Sequence, residues 1–288
     1  MDSKYQALII GGGPAGVSAA LYLARANIKT AIVENGPGAL ARAHKIENFY
    51  GIAASGIRLY AEGLEQARSL GVDIIQDEVL AVEYYDSFVL TLKHSPEPLP
   101  APVLILATGT KNVTLNLPGL VELEGKGVSY CAVCDGFFFR KKQVAVIGDG
   151  PYALHEAEYL KHVAEGVTVL TNGKDGALAQ SKGFTTITTP LKAVTGEGRV
   201  EDIHFADGSK LEVSGLFIAL GTADSTDMAR KLGAQLEGRF IKVDADGATN
   251  IPGLFAAGDC VGGLKQVAKA VHDGVRAGLA AIKFLRKQ

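Results

Sequence analysis

The sequence predicts an α/β protein built from two doubly wound parallel-sheet units, the second inserted into the first. Three observations carry this expectation. A strand, a glycine-rich turn, a helix and a second strand follow one another over residues 7–34, and the same succession returns over residues 143–170. Two further strand-length apolar runs, at 216–220 and 254–257, each close on a glycine. Strand–turn–helix–strand is the opening of a parallel sheet wound on both faces.

The elements follow in order. Ala7-Leu8-Ile9-Ile10 reads as a buried strand and leads into Gly11-Gly12-Gly13-Pro14-Ala15-Gly16. A helix is expected next from the apolar spacing of Val17, Ala20, Leu21 and Leu23, then the strand Thr30-Ala31-Ile32-Val33, which ends in Glu34. The second unit opens with Gln143–Ile147, turns through Gly148-Asp149-Gly150, and continues as a helix to Leu160 and a strand at 167–170. Pro96, Pro98, Pro100 and Pro102 alternate in a stretch that cannot be a central strand, so an extended surface connection is expected there. The tail from Val267 to Leu285 reads as helix. Hinges are placed near 112–118 and 245–252. The first unit then comprises residues 1–114 and 249–288, and the inserted unit residues 115–248.

Bulk composition narrows the function classes. Over 288 residues, 47% are hydrophobic and 21% charged, as in ordinary globular proteins. The apolar runs are too short to span a membrane. No charged region followed by an apolar stretch opens the chain, so a cytoplasmic protein is expected. A net charge of −2 without a basic tract argues against nucleic-acid and anionic-membrane partners.

The first glycine motif has the context that makes it specific. Gly11, Gly13 and Gly16 follow a strand and open a helix, and Glu34 closes the next strand. Glycines let backbone approach a pyrophosphate, the helix start offers free N–H groups, and a terminal carboxylate can accept from a ribose hydroxyl. Both units are therefore expected to be Rossmann-like dinucleotide-binding domains. Ala107-Thr108-Gly109 and Ala257-Gly258-Asp259 also follow apolar strands, where backbone lines a cofactor crevice. Read blandly, each is a plain strand-to-turn junction.

Three cysteines occur, two of them in Cys131-Ala132-Val133-Cys134. The pair has three readings. As half of a zinc site it lacks a second C-x-x-C or H-x-x-x-H, leaving only Cys260 and a scattered histidine. As inert core thiols it would sit oddly beside the turn Asp135-Gly136. As a dithiol–disulfide couple it has the spacing that brings two sulfurs within bonding range on one helical turn. Asp135 is then placed to shuttle a proton, or else it merely caps the turn. No metal site is expected.

With these residues assembled, the chain resembles the low-molecular-weight thioredoxin reductases, a family of flavoprotein disulfide reductases. The resemblance rests on residues 11–16, Lys45-Ile46-Glu47-Asn48-Phe49-Tyr50-Gly51, residues 107–109, Tyr130-Cys131-Ala132-Val133-Cys134-Asp135-Gly136, Gly258-Asp259-Cys260 and Lys265-Gln266-Val267. These segments keep the family's order and span nearly the whole chain. The resemblance implies FAD in the first unit. Candidate contacts are Gly11, Gly13, Pro14, Ala15, Gly16, Glu34, Gly38, Ala39, Leu40, His44, Ile46, Asn48, Val79, Ala107, Thr108, Gly109, Gly258, Asp259, Lys265, Gln266 and Val267. It also implies that Cys134 faces the flavin, that Cys131 attacks the substrate disulfide, and that Asp135 is the general acid–base. Thioredoxin or another disulfide protein is the implied partner, and a homodimer the implied assembly.

One departure bears on the electron donor. Family members that use NADPH grip its 2′-phosphate with arginines after the second strand of the inserted unit. Here that stretch is Leu170-Thr171-Asn172-Gly173-Lys174-Asp175-Gly176, and no arginine occurs between Arg140 and Arg199. Lys174 offers a point charge rather than a planar fork. Asp149 puts a carboxylate where a pyrophosphate would approach. No acidic residue closes the strand for NADH, although Asn172 is a weak candidate for a ribose bond. Residues 176–189 also look too short for the family's usual helix. A donor other than NAD(P)H, such as ferredoxin, is therefore preferred over direct hydride transfer from NAD(P)H with atypical recognition. A non-enzymatic flavin–dithiol sensor is the alternative of another class. Replacing Cys131 by Ser separates it, since an enzyme loses turnover while a sensor stays locked in one binding state. Phe137-Phe138-Phe139 is expected to be a strand entering the core, and Cys260 a small packed residue.

Overall fold

The computed structural model describes residues 3–110, 115–130, 132–221 and 225–287, with the backbone alone at 133 and 134. In chain order the elements are β1 (Ala7–Ile10), α1 (Pro14–Arg25), β2 (Thr30–Glu34), β3 (Ile46–Phe49), β4 (Ile52–Ala54), α2 (Gly56–Ser69), β5 (Asp73–Gln76), β6 (Val79–Tyr84), β7 (Phe88–Leu92), β8 (Leu99–Ala101) and β9 (Val103–Leu106). Then come β10 (Val128–Ser129), α3 (Ala132–Asp135), β11 (Gln143–Ile147), α4 (Pro151–Lys161), β12 (Gly166–Leu170), α5 (Ala177–Ser181), β13 (Thr185–Ile187), β14 (Leu191–Thr195), β15 (Asp202–Phe205), β16 (Lys210–Glu212) and β17 (Gly215–Ile218). The chain ends with α6 (Ser225–Lys231), β18 (Leu236–Glu237), β19 (Phe240–Ile241), β20 (Leu254–Ala256) and α7 (Val267–Leu285). Among the described residues, no helix is long and apolar enough to cross a membrane.

Two compact units emerge, Met1–Thr110 with Asp224–Gln288, and Lys111–Ala223. The sequence reading carried the inserted stretch to residue 248, whereas residues 225–248 group with the first unit. The reason is packing: α6 lies against β6, and β19 against the turn at Asp259–Val261. Residues 112–114 of the expected first hinge lie outside the described residues.

The first unit is built on a parallel sheet in the order β20–β9–β1–β2–β5. Ala7–Ile10, Val103–Leu106 and Leu254–Ala256 are buried along their length, as strands covered on both faces must be. A separate antiparallel sheet, β6–β7–β8, contains Pro100 in its edge strand, the one place in a sheet where proline costs no ladder bond. The proline-rich stretch is thus a surface connection that also supplies an edge.

Small residues govern how the helices cover the main sheet. α1 and α7 meet at Ala15, Ala19, Gly274, Ala277 and Gly278, all buried. A Cβ on Gly274 would stand 2.1 Å from the Ala15 carbonyl oxygen, and one on Gly278 2.9 Å from that of Ala19. The two helices therefore touch backbone to backbone.

The inserted unit repeats the plan with a parallel sheet β10–β17–β11–β12–β13 and a small antiparallel sheet β14–β15–β16. Its core gathers Ala145, Ile147, Leu170, Ile203, Phe205 and Leu216. The stretch 176–189, too short for a full crossover helix, forms the five-residue α5 and the edge strand β13.

Gly274→Ala places a methyl group where only the Ala15 carbonyl fits. It should destabilise the first unit by about 1–3 kcal/mol, the usual range for overpacking. Thermal unfolding of wild type and variant checks this; an unchanged midpoint would contradict the backbone contact.

Candidate functional site

A cleft of about 200 Å³ opens at the carboxyl ends of β1, β9 and β20. Two helices begin at its wall. α1 starts at Pro14 after Gly13, and α7 at Val267 after Gln266; neither N-cap makes a side-chain hydrogen bond, and neither first turn holds an acidic residue. The orphan N–H groups of two helix starts thus serve one cleft, an arrangement suited to a pyrophosphate.

The turn between β1 and α1 is forced by contact. Gly11 has φ +112°, and a Cβ there would lie 2.4 Å from the Ala107 carbonyl oxygen. Gly13 is different: nothing stands within 4 Å of the position its Cβ would take, so the open side is the ligand side. Gly16 serves packing, since a Cβ there would meet the Gly11 carbonyl at 1.9 Å. On the far wall the turn at Gly258 is pinned from α7. Asp273 accepts the Gly258 N–H at 3.1 Å, while Lys269 donates to the Gly258 carbonyl at 2.9 Å and to that of Gly262 at 2.5 Å. The residues present fit the phosphates of a flavin dinucleotide.

Of the residues singled out from sequence, Gly11, Gly13, Pro14, Ala15, Gly38, Ala39, Leu40, Ala107, Thr108, Gly109, Gly258, Asp259, Lys265, Gln266 and Val267 line the cleft. Gly16, Glu34, His44, Ile46, Asn48 and Val79 are not among its walls. Asn48 reaches it indirectly, its Nδ2 donating to Gln266 Oε1 at 2.8 Å. His44 is exposed, and Ile46 and Val79 are buried. Gly12, Gly36, Pro37 and Ala270 also line the cleft and were not anticipated. The Gly36-Pro37-Gly38 triplet was a readable turn signal.

Glu34 is buried at the end of β2. Its Oε2 accepts the Gly36 N–H at 2.7 Å and also the Tyr60 hydroxyl. Burial, and then the bond to Glu34, hold the Tyr60 phenol well above its ordinary range. The carboxylate that sequence assigned to a ribose therefore also anchors its own turn and α2.

In the inserted unit, Cys131 lies outside the described residues, as does the side chain of Cys134. α3 runs from Ala132 to Asp135, the Ala132 N–H donates to Glu156 Oε2 at 2.9 Å, and Ser129 Oγ donates to Asp135 Oδ2 at 2.6 Å. The expected strand at 137–139 is instead a 3-10 turn. Phe137 and Phe138 are exposed in edge-to-face contact, and only Phe139 is buried, against Phe217. A Cβ at Gly136 would stand 3.2 Å from Leu160 Cδ2 and 3.4 Å from Tyr159 Cε1, so α4 packs closely on this turn. Asp135 and Phe138 line a hollow of about 710 Å³ whose walls also carry Lys126, Lys142 and Arg199. Cys260 is buried, its Sγ facing the Ala257 and Leu106 carbonyls.

The second glycine turn, Gly148-Asp149-Gly150, is filled by its own neighbours. Lys174 Nζ stands 2.9 Å from Asp149 Oδ2. Asn172 Oδ1 accepts the Leu191 N–H at 2.8 Å, and Thr171 Oγ1 donates to the Lys174 carbonyl at 2.6 Å. α5 closes over the turn. The space left is about 10 Å³, at the lower limit for one water.

Tyr60→Phe removes one donor from the buried Glu34 and should cost about 1–3 kcal/mol of stability. The phenol holds its proton more tightly when folded, so this contribution is complete below about pH 10 and fades only above it. Urea unfolding of both proteins should give the same difference at roughly pH 6 and pH 9; a difference that appears only at one pH would contradict the assignment.

The comparisons agree with this architecture. Residues 5–274 match the family described as pyridine nucleotide-disulphide oxidoreductase. The thioredoxin reductase of Listeria innocua is 33% identical over 305 residues, covering 99% of this chain and 95% of its own. The crystal structure of the atypical thioredoxin reductase TRi from Desulfovibrio vulgaris Hildenborough is similar at a TM-score of 0.93 and 37% identity, over 99% of each chain. That of a ferredoxin-flavin thioredoxin reductase from Clostridium acetobutylicum is similar at 0.73 and 29% identity, again over 99% of each. The chain belongs to the pyridine nucleotide-disulphide oxidoreductase family, as a thioredoxin-reductase-like flavoprotein that acts on a disulfide.

Proposed function

We propose that this protein reduces the disulfide of thioredoxin or a similar protein through Cys131 and Cys134, with electrons from a carrier such as ferredoxin rather than from NADPH. FAD, when bound in the first cleft, supplies a centre that passes electrons to the cysteine pair. The Cys131 thiolate attacks one sulfur of the partner's disulfide, forming a mixed disulfide and releasing the other sulfur. Cys134 then attacks the Cys131 sulfur, which closes the Cys131–Cys134 disulfide and frees the partner's second thiol. Two electrons pass to the partner. Two protons follow, and Asp135 delivers one of them to a leaving sulfur. The protein acts as a homodimer in this reading.

The observation that carries the choice of donor is the Lys174–Asp149 pair over the second glycine turn. Lys174, the cation weighed for a 2′-phosphate, is already matched by Asp149, and the space beside the turn is only about 10 Å³. The ferredoxin-flavin reductase of Clostridium acetobutylicum supports a carrier of that kind in a chain of this build. Direct use of NAD(P)H with atypical recognition is the second reading, favoured by the family's description as acting with pyridine nucleotides.

Anaerobic titration of the flavin-loaded protein decides between them. Reduced ferredoxin should bleach the flavin band, while NADPH and NADH at micromolar concentrations should leave it unchanged. Rapid bleaching by NADPH would overturn the choice of donor.

A further inference from the structure

One serine outside every cofactor motif touches the wall of the first cleft. Ser225 opens α6 and is fully buried. It stands 117 residues from Thr108, which is half-buried and lines the cleft. Both belong to the first unit. The Thr108 N–H donates to Ser225 Oγ at 3.1 Å, the Ser225 N–H donates to Thr108 Oγ1 at 2.8 Å, and the two hydroxyl oxygens lie 2.8 Å apart. A single hydroxyl proton fits between those oxygens. Were it the threonine's, the serine proton would be left in a fully buried place, and among the described residues Ser225 Oγ meets no second acceptor. The shared proton is therefore the serine's, and the threonine proton is left for the cleft.

We propose that Ser225 is a positioning residue for the flavin, one that holds the Thr108 peptide and makes the Thr108 hydroxyl a hydrogen-bond donor toward an oxygen of the dinucleotide. Ser225 Oγ takes up the Thr108 N–H and one lone pair of Thr108 Oγ1, and the Ser225 N–H takes up the other. What the threonine side chain still offers is a proton, which suits the acceptor oxygens that a flavin dinucleotide carries on its phosphates, ribityl chain and ring. The same contacts fix the start of α6, whose seven residues are too few to hold a helix unaided. The proposal rests on FAD occupying the first cleft.

The test is FAD uptake by the full-length protein freed of flavin, followed by the change in flavin fluorescence, in wild type, Ser225→Ala, Thr108→Val and the double variant. Each single variant should bind FAD roughly three- to tenfold more weakly, the effect of losing one hydrogen bond. Because Ser225 acts through Thr108, the double variant should lose no more than about twofold beyond the weaker single variant. Losses that multiply in the double variant mean two independent structural effects and overturn the proposal. A Ser225→Ala protein that binds FAD as wild type does overturns it equally. Thr108→Ala, or Ser225→Cys with its weakly bonding thiol, takes its place in the same cycle if either first choice does not fold. A wild type that takes up no FAD overturns the cofactor assignment itself and the proposal with it, a result distinct from the others.

Discussion

Where α7 crosses α1 there is no room for one additional carbon atom. Gly274 presses on the Ala15 carbonyl and Gly278 on that of Ala19, and this contact sets the start of both helices against the same cleft. The glycine turn at Gly11, the pinned turn at Gly258 and the tie from Asn48 to Gln266 all build on that frame. Two helix starts without side-chain caps leave N–H groups for a ligand to satisfy. A dinucleotide's phosphates answer that need, which is why packing at a helix crossing bears on cofactor retention.

The same opening, written a second time, has a different outcome. In the first unit the strand after the helix ends in Glu34, buried and held by Tyr60 and Gly36. In the inserted unit the corresponding strand, β12, ends in Leu170 and the chain folds back, with Asn172 holding Leu191 and Lys174 reaching Asp149. The Lys174 side chain is 62% exposed, so the pair contributes little to stability. In the donor reading proposed here its effect is on recognition, because it pairs the lysine beside the turn with a carboxylate. The domain keeps its sheet, and α3 is held from α4 by the bond from the Ala132 N–H to Glu156.

Much of this was legible in the sequence because it depends on local rules. Strand–glycine–helix succession placed β1, α1, β11 and α4. What escaped depends on tertiary contact. The return of residues 225–248 to the first unit follows from α6 packing on β6, which no periodicity announces. Phe137 and Phe138 read as strand by composition, but the segment is a 3-10 turn in which Phe139 packs on Phe217 and the other two rings are exposed. Asn172, weighed for a ribose, satisfies a backbone N–H instead, a choice fixed by where β14 begins. The contact of Glu156 with the Ala132 N–H joins helices far apart in sequence, and no local pattern announces it.

The account turns on the second glycine turn having no place for a nucleotide. Calorimetric titration of the oxidised, flavin-loaded protein with NADP⁺ and NAD⁺ measures this without any redox step. The expected result is no saturable binding below about 1 mM, equivalent to less than roughly 4 kcal/mol of affinity. Saturable one-to-one binding at micromolar concentration would contradict it.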